Sequence, residues 1–212
     1  MKTVRQLIYD AGGECADVLS WADGYGDDAE KAWGECPFGG QMVWFVSRIG
    51  ADKRRTIRAA AACVEGVICH VRGDEPEPRE ALDAVLAYTG SAGEQIFAAM
   101  GLGEAAYQAG MRCRDYAFRV ADRNDAGCLV ADAASVLGLS CGGLVPFQRA
   151  RFLKQAVDLS VAASVRATHA EGNDEVRAHL YQLCAKRTRL CVPYALVAKA
   201  LGITEDESCE TT

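Results

Sequence analysis

From Ala51 to Gly73 apolar side chains recur at three- and four-residue steps: Ile57, Ala60, Ala61, Val64, Val67, Ile68 and Val71. Lys53, Arg54, Arg58 and Glu65 fall off that line. A stripe of this period fits one face of an α-helix and neither face of a strand, whose side chains alternate every two residues. Asp52 stands where an N-cap belongs, and Gly73 followed by Pro76 and Pro78 marks the expected stop. Glycine suits the left-handed position after a helix, and proline cannot continue the hydrogen-bond ladder.

The same period returns from Gly103 to Asp122, where Ala106, Ala109, Cys113, Tyr116, Ala117 and Val120 share a face. Further helical windows run about 79–89, 125–138, 147–168, 174–188 and 193–201, separated by Gly90, Gly101, the Gly142–Gly143 pair with Pro146, and Gly172–Asn173. Only Gln41 to Val46 has the Val, Trp and Phe content of a strand, and its neighbours read better as helix. Alanine-rich stretches at 59–62, 98–99, 105–106, 131–134 and 162–163 let helices approach closely. The expected fold is all-α: a multi-helix bundle or an array of antiparallel helical hairpins. Residues 1–203 read as a single helical domain, Trp-rich over residues 1–90 and Ala-rich over residues 91–203, followed by an acidic tail at 204–212. No fixed-period repeat with a recognisable consensus marks a solenoid.

With 212 residues, half of them hydrophobic, the chain has enough apolar surface to bury a core without metal or disulfide support. Its formal charge of −6 argues against free nucleic acid as a partner, because that affinity comes from basic side chains displacing counterions. Two basic clusters stand against this balance: Lys53, Arg54, Arg55 and Arg58, a candidate basic patch, and Lys186, Arg187 and Arg189, expected to be a solvated helix face. The ten cysteines contain no CxxC pair. No basic-then-apolar leader is evident, so reduced thiols and a cytoplasmic location are expected. Cys63, Cys113 and Cys184 fall in alanine-rich helical stretches as small apolar fillers, and no metal or other cofactor is expected. No apolar run reaches the roughly 20 residues needed to span a bilayer.

Catalytic chemistry has little to build on. Histidine occurs only at positions 70, 169 and 179, none beside a recognisable nucleophile. His70 is expected to favour the C-terminal dipole of the helix it ends. Gly101-Leu-Gly-Glu lacks the preceding strand and following Lys-Ser of a phosphate loop, and reads as a helix break. The stretch DGYGDDAE from Asp23 lacks the spacing and terminal glutamate of a calcium loop and reads as a polar turn capping the next helix. Leu196 to Thr204 has the pattern of the first helix and turn of a helix-turn-helix, but Glu205 to Thr212 is too short and acidic for a recognition helix.

Between Asp17 and Arg79 several landmarks occur in order: Trp21, AEKAWGEC with Trp33 and Cys36, GGQMVWFVSRIG with Met42, Trp44 and Arg48, then DKRR, an alanine-cysteine helix, and EPEPREAL with Arg79. This run resembles the helical immunity proteins of bacterial polymorphic-toxin systems, their fifth numbered family, and related bacterial and phage proteins. The resemblance covers roughly the first 90 residues. It implies an all-helical, non-enzymatic protein that acts by binding, and no catalytic residue carries over.

Trp21, Trp33, Met42 and Trp44 are also the expected nucleus of an N-terminal core, holding three short helices to the long one. The expected function is stoichiometric inhibition of a protein partner, a toxin or a host defence factor. A phage-encoded inhibitor of a defence complex, or a self-assembling scaffold that forms homo-oligomers through its alanine faces, are the alternatives.

Overall fold

The computed structural model describes residues 2–71, 75–90, 96–119, 126–142 and 144–203. Among them the chain forms eleven α-helices and no strand: α1 (Val4–Asp10), α2 (Ala16–Ala22), α3 (Ala29–Glu35), α4 (Gly39–Arg48), α5 (Lys53–Glu65), α6 (Glu77–Gly90), α7 (Ile96–Arg119), α8 (Ala126–Ser140), α9 (Pro146–Ala167), α10 (Asp174–Cys191) and α11 (Tyr194–Leu201). Two 3₁₀ turns lie at Asp23–Tyr25 and Ile68–His70. The all-α expectation holds, and Gln41 to Val46 lies inside α4.

Helix α8 is the centre of the packing. Its sequence is apolar on nearly every side, Asp132 being its one charged residue, and a helix of that composition has to be surrounded. Val130, Ala131, Ala133, Ala134 and Leu137 are fully buried, and α5, α6, α7 and α9 all pack on α8. Where α7 crosses it, Gly110 and Gly138 put backbone against backbone. A Cβ added at Gly138 would lie 2.7 Å from the Gly110 Cα, and one at Gly110 would lie 2.9 Å from the Gly138 Cα. A second close crossing joins α4 to α10, where a Cβ on Gly39 would lie 2.6 Å from the Cys184 Cβ. α4 packs on α9 and α10, and α5 on α10, so the Trp-rich and Ala-rich stretches of the sequence share one core.

The N-terminal helices are seated differently. Val4, Ala22 and Ala32 form a small cluster of their own with Ile8, Trp21, Tyr25 and Ala29 around it. Trp21 touches both this cluster and the main core.

Local signals explain most boundaries. Asp52 caps α5 by accepting from the Arg55 amide at 2.9 Å. Asp28, in the polar turn after Trp21, caps α3 through the Lys31 amide at 3.0 Å. Pro146 opens α9, and Gly202, at φ +68°, closes α11.

Two boundaries differ from those expected of the sequence. The helix expected to reach Gly73 ends at Glu65, and Gly66 leaves room for the Arg187 side chain, whose Cζ would lie 2.9 Å from an added Cβ. The stripe continues because the 3₁₀ turn keeps Val67 and Ile68 buried, so periodicity alone does not register the break. His70 accordingly ends that turn rather than an α-helix, and Gly73 lies outside the described residues. Gly101-Leu-Gly-Glu is not a break either: it lies within α7, where Gly103 admits the Tyr88 ring, 3.2 Å from an added Cβ. The acidic tail 204–212, the second half of the helix-turn-helix pattern, and Val120 and Asp122 fall outside the described residues.

The α7–α8 crossing predicts opposite signs for two identical substitutions. Gly138→Ala should lower stability by about 1–3 kcal/mol through overpacking of backbone on backbone. Gly34→Ala, in α3 with nothing within 4 Å of an added Cβ, should be neutral or stabilising by up to about 1 kcal/mol through helix propensity. Urea denaturation of the two variants checks this, and equal effects would contradict the crossing.

Candidate binding cleft and basic groove

Five of the seven residues that carry the N-terminal resemblance come together around one cleft. Trp21, Trp33, Cys36, Met42 and Trp44 line an apolar space of about 660 Å³, some of it open to solvent, between α1, α2, α3, α4 and α11. Val4, Leu7 and Ile8 of α1, Phe45 of α4, and Val197 and Leu201 of α11 are among its other lining residues. The cleft follows the seam between the small N-terminal cluster and the main core. Trp33 and Met42 are buried, as a core nucleus requires. Trp21 and Trp44 are only half-buried, and Trp44 lies outside both core clusters, so its expected core role is corrected to one on the cleft wall. Trp21 meets Tyr25 at 4.7 Å between ring centroids and Phe38 edge-on at 5.9 Å.

Three cations hold this cleft and its neighbours by capping the C-termini of other helices. Arg48 Nε donates to the carbonyl of Ala11, the C-cap of α1, at 2.6 Å. Its side chain also lies 5.2 Å from the Phe147 ring centroid and against Gly12, whose φ of +89° is the left-handed turn that brings the loop there. Arg189 Nη1 donates to the carbonyl of Cys36, the C-cap of α3, at 2.9 Å and sits 3.4 Å from that of Trp33. Lys53 Nζ donates to the carbonyls of Cys141 and Gly142 just beyond α8, at 3.1 and 3.4 Å. Carbonyls at a helix end have no intrahelical donor, and a cation satisfies both them and the dipole. The second basic cluster is therefore not simply a solvated face. Arg189 turns inward and Arg187 packs on Gly66, leaving Lys186 exposed.

The first basic cluster lines a separate groove. Lys53, Arg54, Arg55 and Arg58 of α5 form one wall with Asp52, while Tyr88 and Thr89 of α6 and Leu190 and Cys191 of α10 form the rest. Lys53 and Arg54 each lie 5.5 Å from the Tyr88 ring centroid. Burial first, then the nearby Arg149 and Arg54 charges, push Lys53 below its ordinary range. Arg58 pairs with Glu65 at 3.6 Å, both about half exposed, and such pairs contribute only about 0–1 kcal/mol. That pair therefore leaves Arg58 available to a stronger acceptor. The Asp52 carboxylate is engaged as the α5 cap. Arg79 stands apart from both places, exposed in the first turn of α6.

Among the remaining reactive groups the buried thiols of Cys63 and Cys184 meet, whereas the histidines do not converge. His70, His169 and His179 are exposed on three different segments. Cys63, Cys113 and Cys184 are buried, the nine described cysteines are free thiols, and burial pushes Cys36 to about 11 and Cys113 and Cys141 to about 12. Among the described residues no group of three His, Cys, Asp or Glu could hold a metal ion, and no helix is long and apolar enough to cross a membrane.

The clamp and the buried thiols each have a direct test. Arg48→Ala should cost about 1.5–3 kcal/mol, the range of a charge-assisted hydrogen bond. It should also make the Gly12–Gly13 loop the first site of limited proteolysis, and an unchanged cleavage pattern would contradict the clamp. Iodoacetamide applied to the native chain should modify the exposed Cys15 and Cys69 and spare Cys113 and Cys141 until unfolding, since the thiolate is the reactive form. Peptide mapping by mass spectrometry reads this directly.

Compared with protein-family models, with curated proteins and with solved structures, the chain matches none.

Proposed function

We propose that this chain is a non-enzymatic, immunity-like inhibitor that neutralises a toxin or effector protein by binding it stoichiometrically. The observation that carries this reading is the concentration of charge in the α5–α6–α10 groove. In a chain of net charge −6, four cations within two turns of α5 line one wall, and the one carboxylate among the lining residues described is already used as a helix cap. A lone exposed leucine signifies little. Leu190, however, is 76% exposed on this same arginine-lined groove, which gives a partner an aliphatic anchor flanked by guanidinium groups. The partner surface that fits is acidic, with an apolar depression for Leu190. The N-terminal resemblance to helical immunity proteins supports binding as the mode of action.

Complementary charge mainly accelerates encounter, so association should slow as salt rises. The test is paired affinity capture from the native host or infected cell, with wild-type chain and an Arg55→Glu, Leu190→Asp variant as baits. The protein retained only by the wild type is then titrated. Each substitution alone should weaken binding about 30-fold, the effect of losing a hot-spot contact of about 2 kcal/mol. A sharp end point near one partner per chain supports inhibition by occlusion. Equal retention by both baits would refute the groove, and sub-stoichiometric inactivation with turnover would refute the non-enzymatic reading.

A further inference from the structure

The cleft beside α1 offers something the groove does not: an apolar space, partly open to solvent, walled by three indoles. Interiors pack at crystal density, so an unfilled space between Trp21, Trp33 and Trp44 is more than a packing residue. Its chemistry is selective. Among the described lining residues none is charged, and Gln41 is the one amide. An ion placed there would lose its hydration without a counter-charge. Indole faces, with the Met42 thioether among them, favour flat aromatic rings over flexible chains.

A second, independent feature points to a ligand atom. Trp33 is 8% exposed and lines the cleft, and its buried Nε1–H has no hydrogen-bond partner. Buried donors are almost always paired, and an indole N–H can only donate. A ligand whose acceptor reached this nitrogen would satisfy it.

We propose that the cleft is a binding site for a neutral aromatic molecule of one or two fused rings that carries a hydrogen-bond acceptor on its edge, received by Trp33 Nε1–H. The site lies apart from the α5–α6–α10 groove and does not rest on the protein-partner reading. Its position on the seam between the N-terminal helices and the main core means that occupancy would also tie these two regions together.

The test uses quinoline and naphthalene at pH 8, where both are neutral. They are ring-for-ring counterparts that differ in one acceptor nitrogen. Calorimetry and tryptophan emission on the full chain should show quinoline binding one to one and about tenfold more tightly than naphthalene, the difference a single buried hydrogen bond makes. Trp33→Phe keeps a ring and removes the donor, so it should erase the preference while leaving naphthalene bound. Leu7→Trp, on the half-buried α1 wall, should weaken both at least tenfold. Leu190→Asp should change neither, which separates this result from the fate of the groove. Absence of saturable quinoline binding, a preference that survives Trp33→Phe, or indifference to Leu7→Trp would overturn the proposal. So would decan-1-ol displacing quinoline at a lower concentration than naphthalene does, since that marks an acyl-chain site. Should Trp33→Phe fail to fold, the preference of the native chain and the Leu7→Trp result decide alone.

Discussion

The structure depends first on the burial of α8. A helix whose surface is apolar nearly all round is stable only when other helices cover most of it, and α5, α6, α7 and α9 do so, leaving the line of Leu129, Asp132 and Val136 partly exposed. The closest of these contacts is possible because Gly110 and Gly138 carry no Cβ. Small side chains trade the area that leucines would bury for proximity, and a short interaxial distance lets many backbone and alanine atoms make dispersion contacts at once. That choice makes the core intolerant of added volume at the crossings and undemanding elsewhere, which fits the alanine-rich composition of the second half.

Around this centre, charge is used as mortar. Arg48, Lys53 and Arg189 each satisfy carbonyls at the C-terminus of a helix distant in sequence, across separations of 37, 88 and 153 residues. Each such bond joins two elements and removes an orphan acceptor, so these cations hold the arrangement more firmly than exposed ion pairs such as Arg58 with Glu65. Arg48 is the clearest case, because it ties the end of α1 to α4 and so fixes the depth of the indole-lined cleft.

Helix positions were legible because they are local: the stripe from Ile57, the Asp52 and Asp28 caps and Pro146 act within a few residues of themselves. The failures have physical causes of the other kind. Gly66, just past α5, leaves room for Arg187, and Gly103, inside α7, leaves room for the Tyr88 ring, and both contacts are with other helices that local periodicity does not report. The candidate site was half legible. Trp21, Trp33, Cys36, Met42 and Trp44, singled out by their order in the sequence, line one cleft, yet nothing in their spacing distinguishes a core from a cleft. That depends on α1 and α11 closing over them incompletely. The basic run at Lys53 was visible as charge, whereas its division into a helix cap, a ring-stacked arginine and a groove wall needed α6 and α8 in place.

Stability is therefore graded across the molecule. α8, enclosed by four helices, should open only when the whole chain unfolds, while α1 to α3, with their own small cluster and the Arg48 and Arg189 clamps, should open first. Hydrogen–deuterium exchange followed by peptide-resolved mass spectrometry measures this order directly. The slowest exchange is expected in Cys128–Leu139 and the earliest helical exchange in Val4–Ala22. Peptides of α8 exchanging as fast as those of α1 would contradict the central place given to α8.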